Sequence, residues 1–389
     1  MSEWVLTPIK NISSSIKSGG TPSTQNPAFY NGNIPWLNTK EILFNKITYT
    51  ERYITDEGLN GSSAQWIDAD SVIVAMYGAT AGRSAITKIP ITTNQACCNI
   101  TLNSELADFR YIYYSLVNSY SDIESMATGA AQQNLNVGLI SNLEINLPPL
   151  PEQKAIAAVL SSLDDKIDLL HRQNKTLEAM AETLFRQWVI EEAKEDWEGG
   201  VLNDEFDFIM GQSPSGSSFN EEGNGVPMFQ GNADFGFRFP NERVFTTEPT
   251  RFARKFDTLI SVRAPVGAQN MAHKECCIGR GVAAFRYKSN NEYYTYTYFK
   301  LRSLMEEIKQ FNNEGTVFGS ISKSDFEGII TTIPSNEIIV KFEKKVKPIN
   351  DKIITNCYQI QTLEKLRNIL LPKLMSGEVR ISYGQQDAA

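Results

Sequence analysis

Residues 163–188, LDDKIDLLHRQNKTLEAMAETLFRQW, align without a gap on residues 349–374, INDKIITNCYQIQTLEKLRNILLPKL. Eight of the 26 positions are identical at an offset of 186 residues: Asp165/Asp351, Lys166/Lys352, Ile167/Ile353, Gln173/Gln359, Thr176/Thr362, Leu177/Leu363, Glu178/Glu364 and Leu184/Leu370. Each copy carries a seam with alternating spacings of four and three. The first is Ile156, Leu160, Leu163, Ile167, Leu170, Asn174, Leu177, Ala181, Leu184 and Trp188. The second is Phe342, Val346, Ile349, Ile353, Asn356, Ile360, Leu363, Arg367, Leu370 and Leu374. A 4-3 period held over so many turns points to coiled-coil packing, and two matching seams in one chain predict that they pack on each other. The competing arrangement, each helix packed only on its own domain, stays open. One antiparallel register faces Asn174 with Asn356 and Leu170 with Ile360; registers shifted by a heptad compete with it. Pro348 is expected to interrupt the second seam and Pro372 to end or kink it. The 23 residues from Ile349 to Leu371 then span roughly 35 Å.

The repeat continues upstream. Gly129 pairs with Gly315, Leu135 with Ile321 and Pro148 with Pro334 at the same offset. Further back the offset drifts to 192, where GGTPS (19–23) faces GQSPS (211–215) and IPWLN (34–38) faces VPMFQ (226–230). Trp4 and Trp197 each precede an isoleucine, Ile16 and Ile209, by twelve residues. The chain is a duplicated module: one scaffold carrying two different surfaces. Within each copy, short β-branched runs bounded by turn residues predict strands, at 68–78 and 94–102 and again at 256–265 and 280–287. Residues 106–119 and 291–311 read as helices despite their tyrosines. In LPPLPEQ (147–153) the prolines and Glu152 launch the first long helix. EEAKEDWEGG (191–200) has the composition of a linker.

Composition narrows the chemistry. The 389 residues are 41% apolar and 21% charged, enough for two or three globular domains. The first residues lack the pattern of a secretory signal, and no apolar run approaches the ~18 residues of a membrane span. The five cysteines fall as Cys97–Cys98, Cys276–Cys277 and Cys357, fitting neither a disulfide framework nor metal spacing. Reduced, partly buried thiols are expected. Only two histidines are present, His171 and His273, so a multi-histidine metal site cannot be built. Gly-Lys occurs nowhere, which excludes a Walker A loop, and no G-x-G-x-x-G is present. The Pro-Pro of NLPPLPEQ lacks the following aromatic with which amino-methyltransferases stack a flipped base. No catalytic or metal-binding residue is expected. A nuclease or methylase in its own right remains the enzymatic rival.

GGTPS (19–23) with its GQSPS echo, GATAGRSAI (78–86), ATGAAQQNLNVGLISNLEINLPPLPEQKAIAAVL (127–160) and LEKLRNILLPKLMSGEV (363–379) together resemble the specificity subunits of type I restriction–modification systems. The resemblance spans the whole chain. It departs in the second copy, where PSNEIIVKF replaces PPLPEQKAI and blurs the start of the second helical region. The resemblance implies an α+β fold with an internal pseudo-twofold repeat, its two long helical regions packed as an antiparallel coiled coil. The implied parts are a first target-recognition domain (1–150), a first helical region (151–196), a second recognition domain (197–334) and a second helical region (335–389). It further implies a non-catalytic, cytoplasmic subunit that reads a bipartite, asymmetric target in double-stranded DNA. Its implied partners are two methyltransferase subunits, with restriction subunits as a further candidate and no membrane. No cofactor is expected on this chain, since S-adenosylmethionine belongs to the methyltransferase partner. The alternative is a degenerate scaffold that organises partners without reading sequence. A spacer of roughly 35 Å is about one turn of B-DNA, a natural separation for two half-sites.

Net charge is −8, whereas DNA binders usually present a basic surface. The imbalance is greatest per residue in 152–198, with 11 acids against 6 bases. That stretch is not expected to touch DNA, and the chain alone is expected to bind DNA poorly. Asn and Gln can pair bidentately with adenine, and Arg with guanine. In the first copy the candidates are Thr21, Ser23, Asn38, Thr39, Lys40, Tyr77, Thr80, Arg83 and Gln132. In the second they are Gln212, Ser213, Gln230, Asn232, Arg263, Arg280 and Phe318. A solvated loop or a structural turn competes with base contact at each. Arg263 stands out because it ends a predicted strand just before Pro265 and Gly267, where a long cation can leave the sheet.

Overall fold

The structure is a computed structural model that describes residues 4–128, 135–193, 197–311 and 319–381. It comprises two compact units, Met1–Ile167 with Leu363–Ala389, and Asp168–Thr362. Each holds one α/β body and a portion of both long helices.

In the first unit the main sheet runs Ser13–Ser18, Cys97–Leu102, Val72–Ala75, Ser84–Thr87, Lys46–Ile47. In the second, the order is Phe206–Met210, Val282–Tyr287, Thr258–Ser261, Gln269–Met271, the same arrangement without the last edge strand. The central strands VIVA and TLIS are buried at every position, as runs without polar alternation should be. A second sheet in each unit contains one parallel pair, Trp36–Leu37 on Thr92–Thr93 and Met228–Phe229 on Cys277–Ile278. An antiparallel ribbon closes each body: Val5–Pro8 on Glu144–Leu147, and Glu198–Val201 on Ile330–Ile333. The second ribbon corrects the linker reading of 191–200, whose last residues are recruited into a strand by backbone pairing despite two glycines.

The tyrosine-rich segments are helical, Phe109–Asn118 and Tyr294–Ser303 followed by Met305–Gln310. Asp108 caps the first, accepting from the backbone N–H groups of Arg110 and Tyr111. Burial of Tyr111, Tyr113 and Tyr114, and of Tyr294, Tyr296 and Tyr298, overrides their strand preference. These helices lie over the main sheets. The first core gathers Val72, Val74, Ile100, Tyr111, Ile156 and Leu160; the second gathers Phe206, Phe285, Tyr296, Phe326, Phe342 and Val346.

The long helices are Leu150–Phe185 and Asn336–Met375. Within the second unit they pack antiparallel: Asn356 Nδ2 donates to Asn174 Oδ1 at 2.9 Å, and Phe185 meets Phe342 edge-on at 5.3 Å. Within the first unit the antiparallel pairs are Asp164 with Arg367 at 2.8 Å and Glu152 with Arg380 at 2.7 Å. The expected Asn174–Asn356 register is the one observed. Ile167, Leu170, Ile353 and Ile360 are buried in the seam, and Leu163, Leu177, Leu184, Ile349, Leu363 and Leu370 are half-buried.

Two expectations for the helices fail. Pro348 and Pro372 do not break the second helix, which continues through both. Both prolines are exposed, as is Lys344, whose carbonyl loses its N–H partner at Pro348, so water can take up the freed acceptor. The first seam also drifts. Phe185 and Val189 are buried where Leu184 and Trp188 were expected to be: the spacing lengthens to four and four from Ala181, and the second step falls in the π-helical Arg186–Glu191.

Candidate nucleic-acid interface

One end of each main sheet gathers several loops around a tight turn. In the first unit the turn is 94–97, closed by Cys97 N–H on the Asn94 carbonyl at 3.2 Å. Gly20 N–H donates to the Thr93 carbonyl and Gly19 N–H to the Cys97 carbonyl, pinning the GGTPS loop beside the turn. A Cβ on Gly19 would sit 2.3 Å from the Asn94 carbonyl oxygen, so only glycine fits. Asn94 N–H bonds the Leu37 carbonyl, and Met76 N–H bonds the Ala96 carbonyl, bringing in the loops that follow those residues. Side chains complete the assembly. Thr21 Oγ1 donates to Gln95 Oε1, Asn94 Nδ2 to Asn38 Oδ1 at 3.1 Å, and Thr80 Oγ1 to the Thr39 carbonyl at 2.7 Å.

The second unit repeats this with different side chains. Its turn is 279–282, closed by Val282 N–H on the Gly279 carbonyl at 3.0 Å. Gln212 N–H bonds the Ile278 carbonyl, Gly279 N–H the Phe229 carbonyl, and Val262 N–H the Gly281 carbonyl. Ser213 Oγ accepts from Arg280 N–H at 3.2 Å. Arg251 joins the cluster, since its carbonyl accepts from Ile278 N–H at 2.9 Å. Arg251, Arg263 and Arg280 are exposed and make no ion pair among the described residues. Three uncompensated guanidinium groups at one loop cluster present a positive surface despite the acidic total.

The structure thus brings together Thr21, Asn38, Thr39, Tyr77 and Thr80 in one unit, and Gln212, Ser213, Gln230, Arg263 and Arg280 in the other. They are not equally available. Asn38 builds its turn: its N–H bonds Glu41 Oε1 at 3.0 Å and its Nδ2 is buried without a partner among the described residues. Lys40 is held in an ion pair with Glu51. Thr80 is 8% exposed. Arg83 lies 5.9 Å over the Phe44 ring, with Nε buried. Ser23 is exposed beyond Thr21, and Asn232 opens the short turn of helix Asn232–Asp234 two residues past the exposed Gln230. Tyr77, 40% exposed, leaves its loop toward solvent. Gln132 and Phe318 lie outside the described residues. Sequence reasoning missed Asn94, Gln95 and Arg251. None of the three carries a sequence signal, since NQAC (94–97) and GRGV (279–282) share no residue.

The strands beneath these loops carry the paired cysteines. All five cysteines are free and buried. Burial pushes the Cys98 and Cys276 thiols up to about 12, so they are packing groups rather than nucleophiles. Among the described residues no cluster of His, Cys, Asp or Glu can hold a metal ion, and no helix is long and apolar enough to cross a membrane. What remains at the loop clusters is hydrogen-bonding and cationic surface on a rigid sheet end, suited to recognition.

A family model described as the type I restriction modification DNA specificity domain matches residues 1–179 and again 194–366. The MjaIX type I restriction enzyme specificity subunit of Methanocaldococcus jannaschii is 28% identical over 417 aligned positions, covering 97% of this chain and 94% of that protein. A second M. jannaschii chain, assigned to the MjaX type I restriction enzyme as its specificity subunit, is 37% identical over 268 positions. That match covers 64% of this chain and only 62% of the relative. A solved structure of the type I restriction–modification S subunit from M. genitalium shares the fold, with a TM-score of 0.64 at 19% identity over 98% of this chain and 97% of that one. With the domain matched once in each half, the chain belongs to the type I restriction modification DNA specificity family.

Proposed function

We propose that this chain reads a bipartite, asymmetric target in double-stranded DNA, each α/β body reading one half through its loop cluster. One observation carries the reading: the same loop-bearing sheet end is built twice on recurring hydrogen bonds, while the exposed side chains differ. A single scaffold with two chemistries fits a two-part target whose halves differ. Phosphate-contacting groups would hold the register, and base-edge contacts would supply the specificity.

In this reading the long helices dock two methyltransferase subunits, with restriction subunits as further partners. S-adenosylmethionine is then bound by the methyltransferase and not by this chain, and the complex works in the cytoplasm. A net charge of −8 fits a reader that binds DNA weakly alone and gains phosphate contacts from its partners.

Base-resolution protection of DNA by the chain with its methyltransferase partner tests the proposal. Two short protected segments of different sequence, separated by an unprotected run, are expected. One continuous footprint, or protection without sequence preference, would overturn it.

A further inference from the structure

Backbone hydrogen bonds superimpose the two loop clusters position by position. Gly19 N–H to the Cys97 carbonyl corresponds to Gly211 N–H to the Val282 carbonyl, and Gly20 N–H to Thr93 corresponds to Gln212 N–H to Ile278. Asn94 N–H to Leu37 matches Gly279 N–H to Phe229, and Met76 N–H to Ala96 matches Val262 N–H to Gly281. Gly82 N–H to Ala75 matches Gly267 N–H to Ser261, and the turn-closing bonds 97-to-94 and 282-to-279 match as well. The strand register agrees: Ala75 faces Cys97 as Ser261 faces Val282. On this frame Gln95 and Arg280 occupy one position, the second residue of the turn.

That position has properties its neighbours lack. Both side chains are exposed, while the strand residues that follow are buried. The backbone beneath is fixed by bonds to two other loops, so a side chain leaving it is aimed by the fold. Each is tied to its GGTPS-type loop through the equivalent hydroxyl residue: Thr21 Oγ1 donates to Gln95 Oε1, and Ser213 Oγ accepts from Arg280 N–H. The Gln95 contact orients the amide and leaves its Nε2 hydrogens and one Oε1 lone pair for a base edge. The Ser213 contact holds the backbone and leaves the whole guanidinium fork available.

Resting on the two-reader proposal above, we propose that this turn residue is a specificity-determining position in both halves. Gln95 reads an adenine in one half-site and Arg280 a guanine in the other. The amide offers the acceptor–donor pair that matches adenine N6 and N7, and the guanidinium the two donors that match guanine O6 and N7.

The test uses the full complex of this chain with its methyltransferase partner, reading methylated motifs across a genome. Wild type must first give a split motif; its absence would count against the two-reader proposal itself, not this assignment. Given that motif, Gln95→Arg should shift one base pair of one half from A·T toward G·C and leave the other half intact. Arg280→Gln should make the reverse change in the opposite half. Gln95→Ala and Arg280→Ala should each relax a single position, with roughly 5- to 150-fold loss of preference there. If an exchange variant fails to methylate, the alanine variants decide. An unchanged motif in the alanine variants would overturn the assignment. So would changes spread over both halves, or loss of all methylation in a complex that still assembles.

Discussion

Asn356 Nδ2 donates to Asn174 Oδ1 at 2.9 Å between two side chains with no solvent exposure, each a polar interruption of its seam. Asn174 Nδ2 in turn reaches Cys357 Sγ at 3.4 Å. A buried amide pair costs desolvation and gains its mutual hydrogen bond only when the two meet, so it favours one register over its heptad-shifted competitors.

Asn174→Leu alone should therefore destabilise the chain by about 1–3 kcal/mol, because it leaves the buried Asn356 with only the longer contact to Gln173 Oε1 at 3.5 Å. Asn174→Leu with Asn356→Leu should recover that loss or exceed wild type. Thermal melting of the three proteins checks this. Equal losses in the single and double variants would show that the pair does not act as a unit.

Arg238 has no exposed surface, pairs with Glu178 at 3.1 Å and lies 3.8 Å over the Tyr298 ring. Burial raises the Glu178 carboxyl above its ordinary range, and the Arg238 charge opposes that shift. Arg238→Met should cost about 3–5 kcal/mol by leaving Glu178 without this charge partner in a desolvated position. Adding Glu178→Met should restore much of it. Denaturant unfolding of the double-mutant cycle measures the coupling, and additive losses would contradict it.

Glu343, 5% exposed, accepts from Tyr296 N–H at 2.7 Å and so satisfies the start of helix Tyr294–Ser303 from the neighbouring long helix. Gln153 does similar work in the first unit, accepting from Asp108 N–H at 2.9 Å. Burial pushes the Glu343 carboxyl up to about 7 from an ordinary 4.5. Its folded-state value lies above the unfolded one, so the folded chain holds the proton more tightly. The stabilising contribution is present below pH 4.5 and is lost as pH rises through 7, by about 3 kcal/mol in all. Glu343→Gln should remove this fall. Melting temperatures of both proteins between pH 5 and 8 should converge at the acid end and separate at the alkaline end, with the variant higher.

Arg263 is exposed one residue beyond Val262, whose N–H and carbonyl are bonded to Gly281 and Ile321. Arg263→Ala should relax one half of the methylated motif and spare the other. Equal degradation of both halves would contradict a reader confined to one loop cluster.

Much of this was legible in the chain. The duplicated seam pointed to two helices packed on each other, and the two asparagines marked one antiparallel register among heptad-shifted competitors, the one observed. Strands at Val72–Ala75 and Thr258–Ser261 followed from β-branched runs. What escaped depended on tertiary context. Pro348 sits on an exposed face where water can replace the missing bond, and Glu198–Val201 becomes a strand only because Ile330–Ile333 lies beside it. Gln95 escaped because a turn residue between strands has no periodicity to mark it. Its significance emerges only when backbone bonds align it with Arg280. Asn38, attractive as an amide in a loop, proved to be the residue that builds the loop.

Long-read mapping of N6-methyladenine in a methylation-free host, expressing this chain with its methyltransferase partner, tests the two-reader account most directly. The expected result is a split, asymmetric motif that disappears when this chain is omitted. With both proteins present and assembled, methylation without a split motif, or none at all, would contradict it.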